Sequence, residues 1–566
     1  MEYKQEIAKL LSSSLADIPQ PEIQESIEQP PNAQMGHFAY PCFRLAKTMR
    51  KAPPAIAAEI VENITKNPLP DWLQSVDVAS GYINFYLDRP SFANRVLEAV
   101  QTEKENYGSS TIGKGKTVLV EYSSPNIAKH FHVGHLGTTV IGRALFNIFS
   151  YLGYETVGIN YLGDWGTSFG KLLTAYLRWG NKEEIEKTSI DGLTDLYVRF
   201  HEEAETDPTL EEEARNWVVK MESGDEESIS IWKWLCEISL GEYNKIYDRL
   251  GISFQSYRGE SYYNGKMDAA VDELRQKGLL VESDGAQIVD LEEYNMPPCL
   301  IVRSDGGTLY VTRDITAAKD RYENYKFDKS LYVVGNEQKL HFAQFYKILE
   351  LMGYEWARNM THINYGLFSF ESGKMSTRKG QVIKMKDLLD ESVAKTLEII
   401  KEKSPDLQNK EEVAEQVGLG AVIFNQLYNN RIKDVVFSWE RMLNFEGETG
   451  PYVQYTHARA CSVLDKAGSS PQNINGELIT DDESFEVLRL LYSFPEKIKE
   501  AAEKQEPFII SRFLVALAQA FNKFYNTHQI LTGDDAQAAR LVLVSATKTA
   551  IENGLKLLGI SAPKKM

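Results

Sequence analysis

The sequence predicts a multidomain α/β plus all-α protein: an N-terminal α+β unit, a doubly wound parallel sheet split by a helical insertion, and a long helical C-terminal part. Three observations carry this. Short apolar, β-branched runs at Thr117–Tyr122 and Glu155–Asn160 flank a segment of helical spacing, which gives strand, helix, strand. The rhythm stops near residue 181, where the chain turns acidic and helical. It resumes around Leu300–Val302, with Leu331–Val334 a further core strand. Beyond about Met385 the apolar period is helical to Met566.

Taken in order, residues 1–108 form the first unit. Ile7, Leu10 and Leu11 mark an amphipathic start, Gln29–Asn32 a Pro-rich break, about 40–64 a helical run, and Ser75–Leu87 a strand. Residues 109–385 hold the sheet. There Ile141, Leu145, Ile148, Phe149 and Leu152 recur at helical spacing, and the insertion spans about 181–285. Residues 386–445 read as a helical stem and 446–566 as a helical domain.

Of 566 residues, 62 are Lys or Arg and 80 Asp or Glu, for a net charge of −18. That balance argues against a general nucleic-acid binder but leaves room for a local basic groove. Hydrophobic residues at 43% and charged residues at 25% exclude wholesale disorder. No apolar stretch reaches the ~18–20 residues of a membrane span, and the opening Met-Glu-Tyr-Lys-Gln-Glu-Ile lacks the apolar core of a secretory leader. Cys42, Cys236, Cys299 and Cys461 form no CxxC pair, against a disulfide framework or cysteine-built zinc site. A cytoplasmic enzyme is expected.

Two segments carry chemistry, and one decoy does not. Gly108–Gly115 nearly fits a phosphate loop, but it precedes a strand instead of linking strand to helix. By contrast, Glu121–His135 follows the first strand and opens the first helix, at the edge where such sheets bind ligands. Within it, Gly134 would let a nucleotide approach the backbone, while His132 and His135 could donate hydrogen bonds to phosphate. A metal cluster of His130, His132 and His135, or packed imidazoles, remains an alternative at this point. Further on, Gly373-Lys374-Met375-Ser376-Thr377-Arg378-Lys379-Gly380 is a lysine-rich loop suited to a triphosphate.

Together, His132-Val-Gly134-His135 and Lys374-Met375-Ser376 resemble the paired HIGH and KMSKS signatures of class I aminoacyl-tRNA synthetases. Glu121-Tyr-Ser-Ser-Pro-Asn-Ile-Ala-Lys129, Asn160-Tyr-Leu-Gly-Asp-Trp-Gly166, Tyr310-Val-Thr-Arg-Asp314, Glu337-Gln338-Lys-Leu-His341 and Thr449–Arg459 narrow the resemblance to the arginyl-tRNA synthetases. The resemblance implies a Rossmann-like catalytic domain, a C-terminal anticodon-binding domain, and ligation of L-arginine to tRNA(Arg) at the expense of ATP. It also implies Mg2+ borne by the ATP, no protein-bound metal, no membrane partner, no editing domain and a monomer.

By the same resemblance, His132, Gly134, His135, Lys374, Met375 and Ser376 bind ATP, with His132, His135, Lys374 and Lys129 catalytic. Glu121, Asn126, Tyr310, Asp314 and Gln338 hold arginine. A carboxylate fork suits a planar guanidinium with several N–H donors. Thr377 stands where the family's loop carries a second lysine, and Lys129 is expected to supply that charge. Tyr452, Tyr455 and Arg459 fall on one helix face and, with Tyr525 and Met566, are expected to bind tRNA. Gly36, His37 and Phe38 are expected at the tRNA elbow, although His37 replaces an acidic residue. A metal-dependent hydrolase on the three histidines and a catalytically idle tRNA-binding paralogue are the alternatives.

Overall fold

A computed structural model describes residues 3–30, 35–304, 307, 309–370, 383–468 and 474–566. The chain divides into two compact units. One comprises Met1–Tyr107, Arg459–Pro495 and Ala516–Asn553; the other comprises Gly108–Ala458, Glu496–Val515 and Gly554–Met566.

In the first unit, helix Tyr3–Ser12 buries Tyr3, Ile7, Ala8 and Leu11 along one stripe. A three-stranded antiparallel sheet has β3 (Tyr82–Leu87) between β1 (Phe38–Pro41) and β2 (Leu73–Ala79). Two expectations need correction here. The single helical run over 40–64 is β1 followed by helices Leu45–Met49 and Pro53–Thr65, because prolines end the strand and start the second helix. The single strand over 75–87 is a hairpin that turns at Ser80 and Gly81, both at positive φ.

The expected elbow contact is corrected as well. Gly36, His37 and Phe38 are buried. The His37 Nδ1 accepts the Leu87 amide at 2.8 Å, and its ring packs 4.4 Å from that of Phe485. Burial, helped by Arg89 and Arg489, pushes this imidazole down to about 4. These residues build the unit's core.

The second unit is organised by a parallel sheet. β4 (Thr117–Glu121) lies between β5 (Glu155–Ile159) and β9 (Lys329–Tyr332), with β10 (Met360–His362) beyond β9. Val118, Leu119 and Val120 are wholly buried, as a central strand covered on both faces requires. Helix Leu136–Tyr151 connects β4 to β5. Helices Lys182–Thr188, Ile190–Ala204, Thr209–Glu222 and Glu226–Arg249 then interrupt the α/β order.

Leu300–Val302 does not rejoin the parallel sheet. It belongs to β8 (Cys299–Val302), which pairs antiparallel with β7 (Ala286–Val289), itself paired to β6 (Leu280–Ser283). Leu300 is 38% exposed between buried Cys299 and Ile301, so this strand is covered on one face only. After β10, β11 (Phe368–Phe370) pairs parallel with β12 (Val435–Phe437). Otherwise helices predominate from Met385 on, through Met385–Lys403, Lys410–Leu427, Gly450–Ala467, Asp482–Lys504, Phe508–Thr527 and Asp535–Leu557.

Candidate active site

The loop leaving β4 is strained and heavily braced. Ser123, Ser124 and Ala128 take φ of 69°, 44° and 59°, a left-handed region that side chains disfavour. The Ser123 amide donates to Thr138 Oγ1 at 3.0 Å, and its hydroxyl lies 3.0 Å from Thr139 Oγ1 and 2.8 Å from the Tyr247 hydroxyl. The Ala128 amide donates to Ser239 Oγ at 3.1 Å. The Tyr243 hydroxyl points its hydrogen between the carbonyls of Asn126 and Lys129, at 2.7 and 2.6 Å. Thus the insertion's last helix, Glu226–Arg249, holds the loop from which Asn126 and Lys129 emerge exposed. Gly163 backs the loop, since a Cβ there would stand 2.0 Å from Asn126 Oδ1.

The histidine motif caps its own helix. The His132 Nδ1 accepts the Gly134 amide at 3.1 Å. The His135 Nδ1 lies 3.2 Å from both the amide and the carbonyl of His132; accepting from the amide closes a reciprocal cap. With both Nδ1 atoms accepting, the network assigns the ring hydrogens to Nε2. Burial, assisted by the His132 ring, pushes His135 down to about 3. Burial with the nearby His130 and Lys129 lowers His132 as well. The pair therefore offers two neutral N–H donors, their ring centres 4.0 Å apart, at the start of helix Leu136–Tyr151.

Lys374, Met375 and Ser376, with Thr377, Arg378 and Lys379, lie outside the described residues. The chain is described again from Ile383, hydrogen-bonded to the histidine segment. The Val133 amide donates to the Ile383 carbonyl at 3.1 Å, and the Met385 amide to the Phe131 carbonyl at 2.8 Å. The far end of the lysine-rich segment is thereby fixed against the two imidazoles.

Carboxylates gather around helix Tyr310–Tyr325. Asp314 Oδ2 accepts from His341 Nε2 at 2.7 Å, and Tyr310, one turn earlier, is 68% exposed. Glu121 departs from expectation. It is only 6% exposed, and the guanidinium of Arg321, itself 3% exposed, sits 2.5 Å from its Oε2. The chain's own arginine occupies the carboxylate assigned to the substrate, which makes Glu121 an internal partner near the site. Burial raises its affinity for a proton, opposed by Arg321 and reinforced by the nearby Asp314.

Glu260, absent from the sequence-based set, belongs to the same cluster. It is 2.9 Å from Arg313, and burial with Asp314 and Asp164 nearby raises it to about 7 against the pull of Arg313. The hydroxyls of Tyr161 and Tyr346, both under the influence of Asp314, are buried with no hydrogen-bond partner among the described residues. Excess negative charge beside orphaned phenols suits a cationic ligand with several N–H donors. Gln338 is exposed on the turn Asn336–Gln338 that follows β9, without a described contact to this cluster.

Elsewhere, between Pro451 and Ala460, Tyr452, Tyr455 and Arg459 alone escape burial. The Arg459 guanidinium lies 4.9 Å from the Tyr525 ring centre and hydrogen-bonds Asn522 Oδ1. Met566 packs against the buried cluster of Ile400, Val413, Ala414 and Val417. Among the described residues, only Asp481, Glu483 and His528 bring three metal-ligand atoms within 4.8 Å of one another; the three N-terminal-motif histidines do not.

Comparison with known proteins adds independent findings. Family models match residues 96–439 ("tRNA synthetases class I (R), catalytic domain"), 453–566 ("DALR anticodon binding domain") and 2–87 ("Arginyl tRNA synthetase N terminal domain"). The chain is 51% identical to the arginine–tRNA ligases of Alkaliphilus metalliredigens and Clostridioides difficile, with complete coverage on both sides. Among solved structures, the Thermus thermophilus arginyl-tRNA synthetase superposes with a TM-score of 0.82 at 25% identity, covering all of both chains. That of Plasmodium falciparum gives 0.81 at 22% identity over 100% of this chain and 99% of the other, a likeness of fold.

Proposed function

The chain belongs to the arginyl-tRNA synthetases of class I, and from that premise we propose that the carboxylate cluster and the histidine pair are the arginine and ATP halves of one activation site. The enzyme is an arginine–tRNA ligase. The carboxylate of L-arginine attacks the α-phosphorus of ATP, pyrophosphate leaves, and arginyl-adenylate forms. The 2′-hydroxyl of the terminal adenosine of tRNA(Arg) then attacks the arginyl carbonyl, and AMP departs. Mg2+ arrives with ATP and neutralises phosphate charge.

In this reading Asp314 and Glu260 receive the guanidinium, with Glu121 holding Arg321 behind them. Asn126, Tyr310 and Gln338 orient the amino-acid end. The Nε2–H groups of His132 and His135 donate to phosphate oxygens as charge shifts toward the leaving pyrophosphate, and Gly134 lets the nucleotide approach. Lys129, exposed beside the histidines, supplies with Lys374 the cations that gather that charge; Met375 and Ser376 complete the clamp. Catalysis is chiefly positioning and charge stabilisation.

Tyr452, Tyr455, Arg459 and Tyr525 stack anticodon bases in a domain spanning 446–566, and Met566 anchors the adjoining C-terminus. Residues 1–108 form the appended domain, 109–385 the catalytic domain and 386–445 the stem. We place the enzyme in the cytoplasm as a monomer; among the described residues no helix is long and apolar enough to cross a membrane.

The observation that carries the reading is the acidic cluster with its partnerless phenols on the sheet edge that also presents the two imidazole donors. Pyrophosphate exchange into ATP, run over twenty amino acids with and without tRNA(Arg), tests it. Exchange with arginine alone, and only with tRNA present, is expected. Exchange driven by another amino acid, or none at all, would contradict it.

A further inference from the structure

Beside the histidine motif lies a second cleft with the opposite charge. It has a volume of about 260 Å³ and is lined by Lys187, Lys245, Arg249, Lys384 and Lys386, against only Asp191 and Glu242. His130 and Phe131 form its inner wall, while His132, Gly134 and His135 are not in the lining. In a chain of net charge −18, five cations in one concavity are a local inversion of the average field.

Most of these cations are held by acids at the surface. Lys384 Nζ is 2.5 Å from Asp191, Lys245 2.5 Å from Glu242, and Lys386 2.8 Å from Asp390. Arg249 bridges Asp390 at 2.7 Å and Glu415 at 2.8 Å. Lys187, exposed at the end of helix Lys182–Thr188, makes no ion pair among the described residues. Exposed pairs of this kind are worth roughly 0–1 kcal/mol, so a phosphate can take over the lysines at little cost.

We propose that this cleft holds phosphodiester groups of the tRNA arm that carries the acceptor adenosine. The proposal rests on the function assigned above. An arm that delivers its 3′ end to the histidine motif must pass the surface next to it, and His130 joins the two: its Nε2 lies 3.4 Å from Asp191. The lysines are drawn from three segments: the insertion's first helix, its last helix, and the strap Ile383–Met385 with the following turn. A phosphate seated there contacts the insertion and the strap together.

The test uses full-length enzyme with Lys187→Ala and Lys245→Ala combined, neither residue being part of the activation site. Direct titration of tRNA(Arg) should show affinity reduced about tenfold at ~0.15 M salt. The slope of log K against log salt should become shallower by about 1 to 2, as for one or two lost phosphate contacts. Michaelis constants for arginine and ATP at saturating tRNA should stay unchanged, and Lys187→Arg with Lys245→Arg should restore binding. Unchanged tRNA affinity and salt slope would overturn the proposal while leaving arginine ligation intact. Loss of inhibition by inorganic tripolyphosphate with tRNA binding untouched would overturn it too, in favour of a free polyphosphate site. Failure of the unaltered enzyme to charge tRNA would instead count against the assigned function.

Discussion

Asp314→Asn removes a negative charge from the guanidinium site while preserving shape. The asparagine carbonyl can still accept from His341 Nε2, which lies 2.7 Å from the aspartate oxygen, so the local fold should hold. What is lost is a charge-assisted hydrogen bond to the substrate, worth about 1.5–3 kcal/mol. At about 1.4 kcal/mol per factor of ten, kcat/KM for arginine should fall about 10- to 150-fold. Glu260 remains near by, which argues against total loss. Initial rates of tRNA charging at varied arginine, with ATP and tRNA saturating, read the effect, and the KM for ATP should hardly move. A kcat/KM for arginine within twofold of the unaltered enzyme would refute the placement of Asp314 at the guanidinium.

Three other outcomes follow from the same geometry. Glu121→Ala strands the buried Arg321 guanidinium and should cost about 3–5 kcal/mol, visible as a lower urea midpoint; unchanged stability with a raised arginine KM would return Glu121 to direct substrate contact. Glu260 holds its proton to about 7, above its unfolded value, so its contribution to stability is full below about 4.5 and is lost as pH rises through about 7. A guanidinium needs the ionised carboxylate, so arginine KM should fall between about pH 6 and pH 8, and Glu260→Gln should flatten that profile; a Glu260→Gln enzyme with the same slope would remove Glu260 from the pocket. Lys129→Ala should lower the single-turnover rate of adenylate formation tenfold or more, with arginine affinity little changed; an unaltered rate would leave the threonine at position 377 uncompensated by Lys129.

The parallel strands were legible because Thr117–Tyr122 and Leu331–Val334 are short β-branched runs between turns, and the histidine motif because its hydrogen bonds are local. Cys299–Val302 reads the same way, yet only alternate residues are buried; a four-residue apolar run does not disclose whether one face or two are covered. The Ser80–Gly81 turn hid inside a run of strand formers. At the site, the obstacle was sequence separation. Arg321 pairs with Glu121 across 200 positions, and Glu260 meets Asp314 across 54, so no spacing rule links them. One signal was present: Arg321 lies seven residues after Asp314, two turns along one helix, and so points to the same side. The bracing by Ser239 and Tyr243 had no such signal, because it comes from an insertion whose sequence shows only acidic helices.

The account stands on a charged guanidinium meeting carboxylates in a water-poor pocket. Citrulline replaces that group by a neutral urea of nearly the same shape. Charging of tRNA(Arg) with arginine and citrulline side by side measures the claim directly. The predicted result is discrimination of about 10⁴-fold or more in kcat/KM for arginine, as for sites built around a distinctive hydrogen-bonding group. Comparable use of the two amino acids would contradict it.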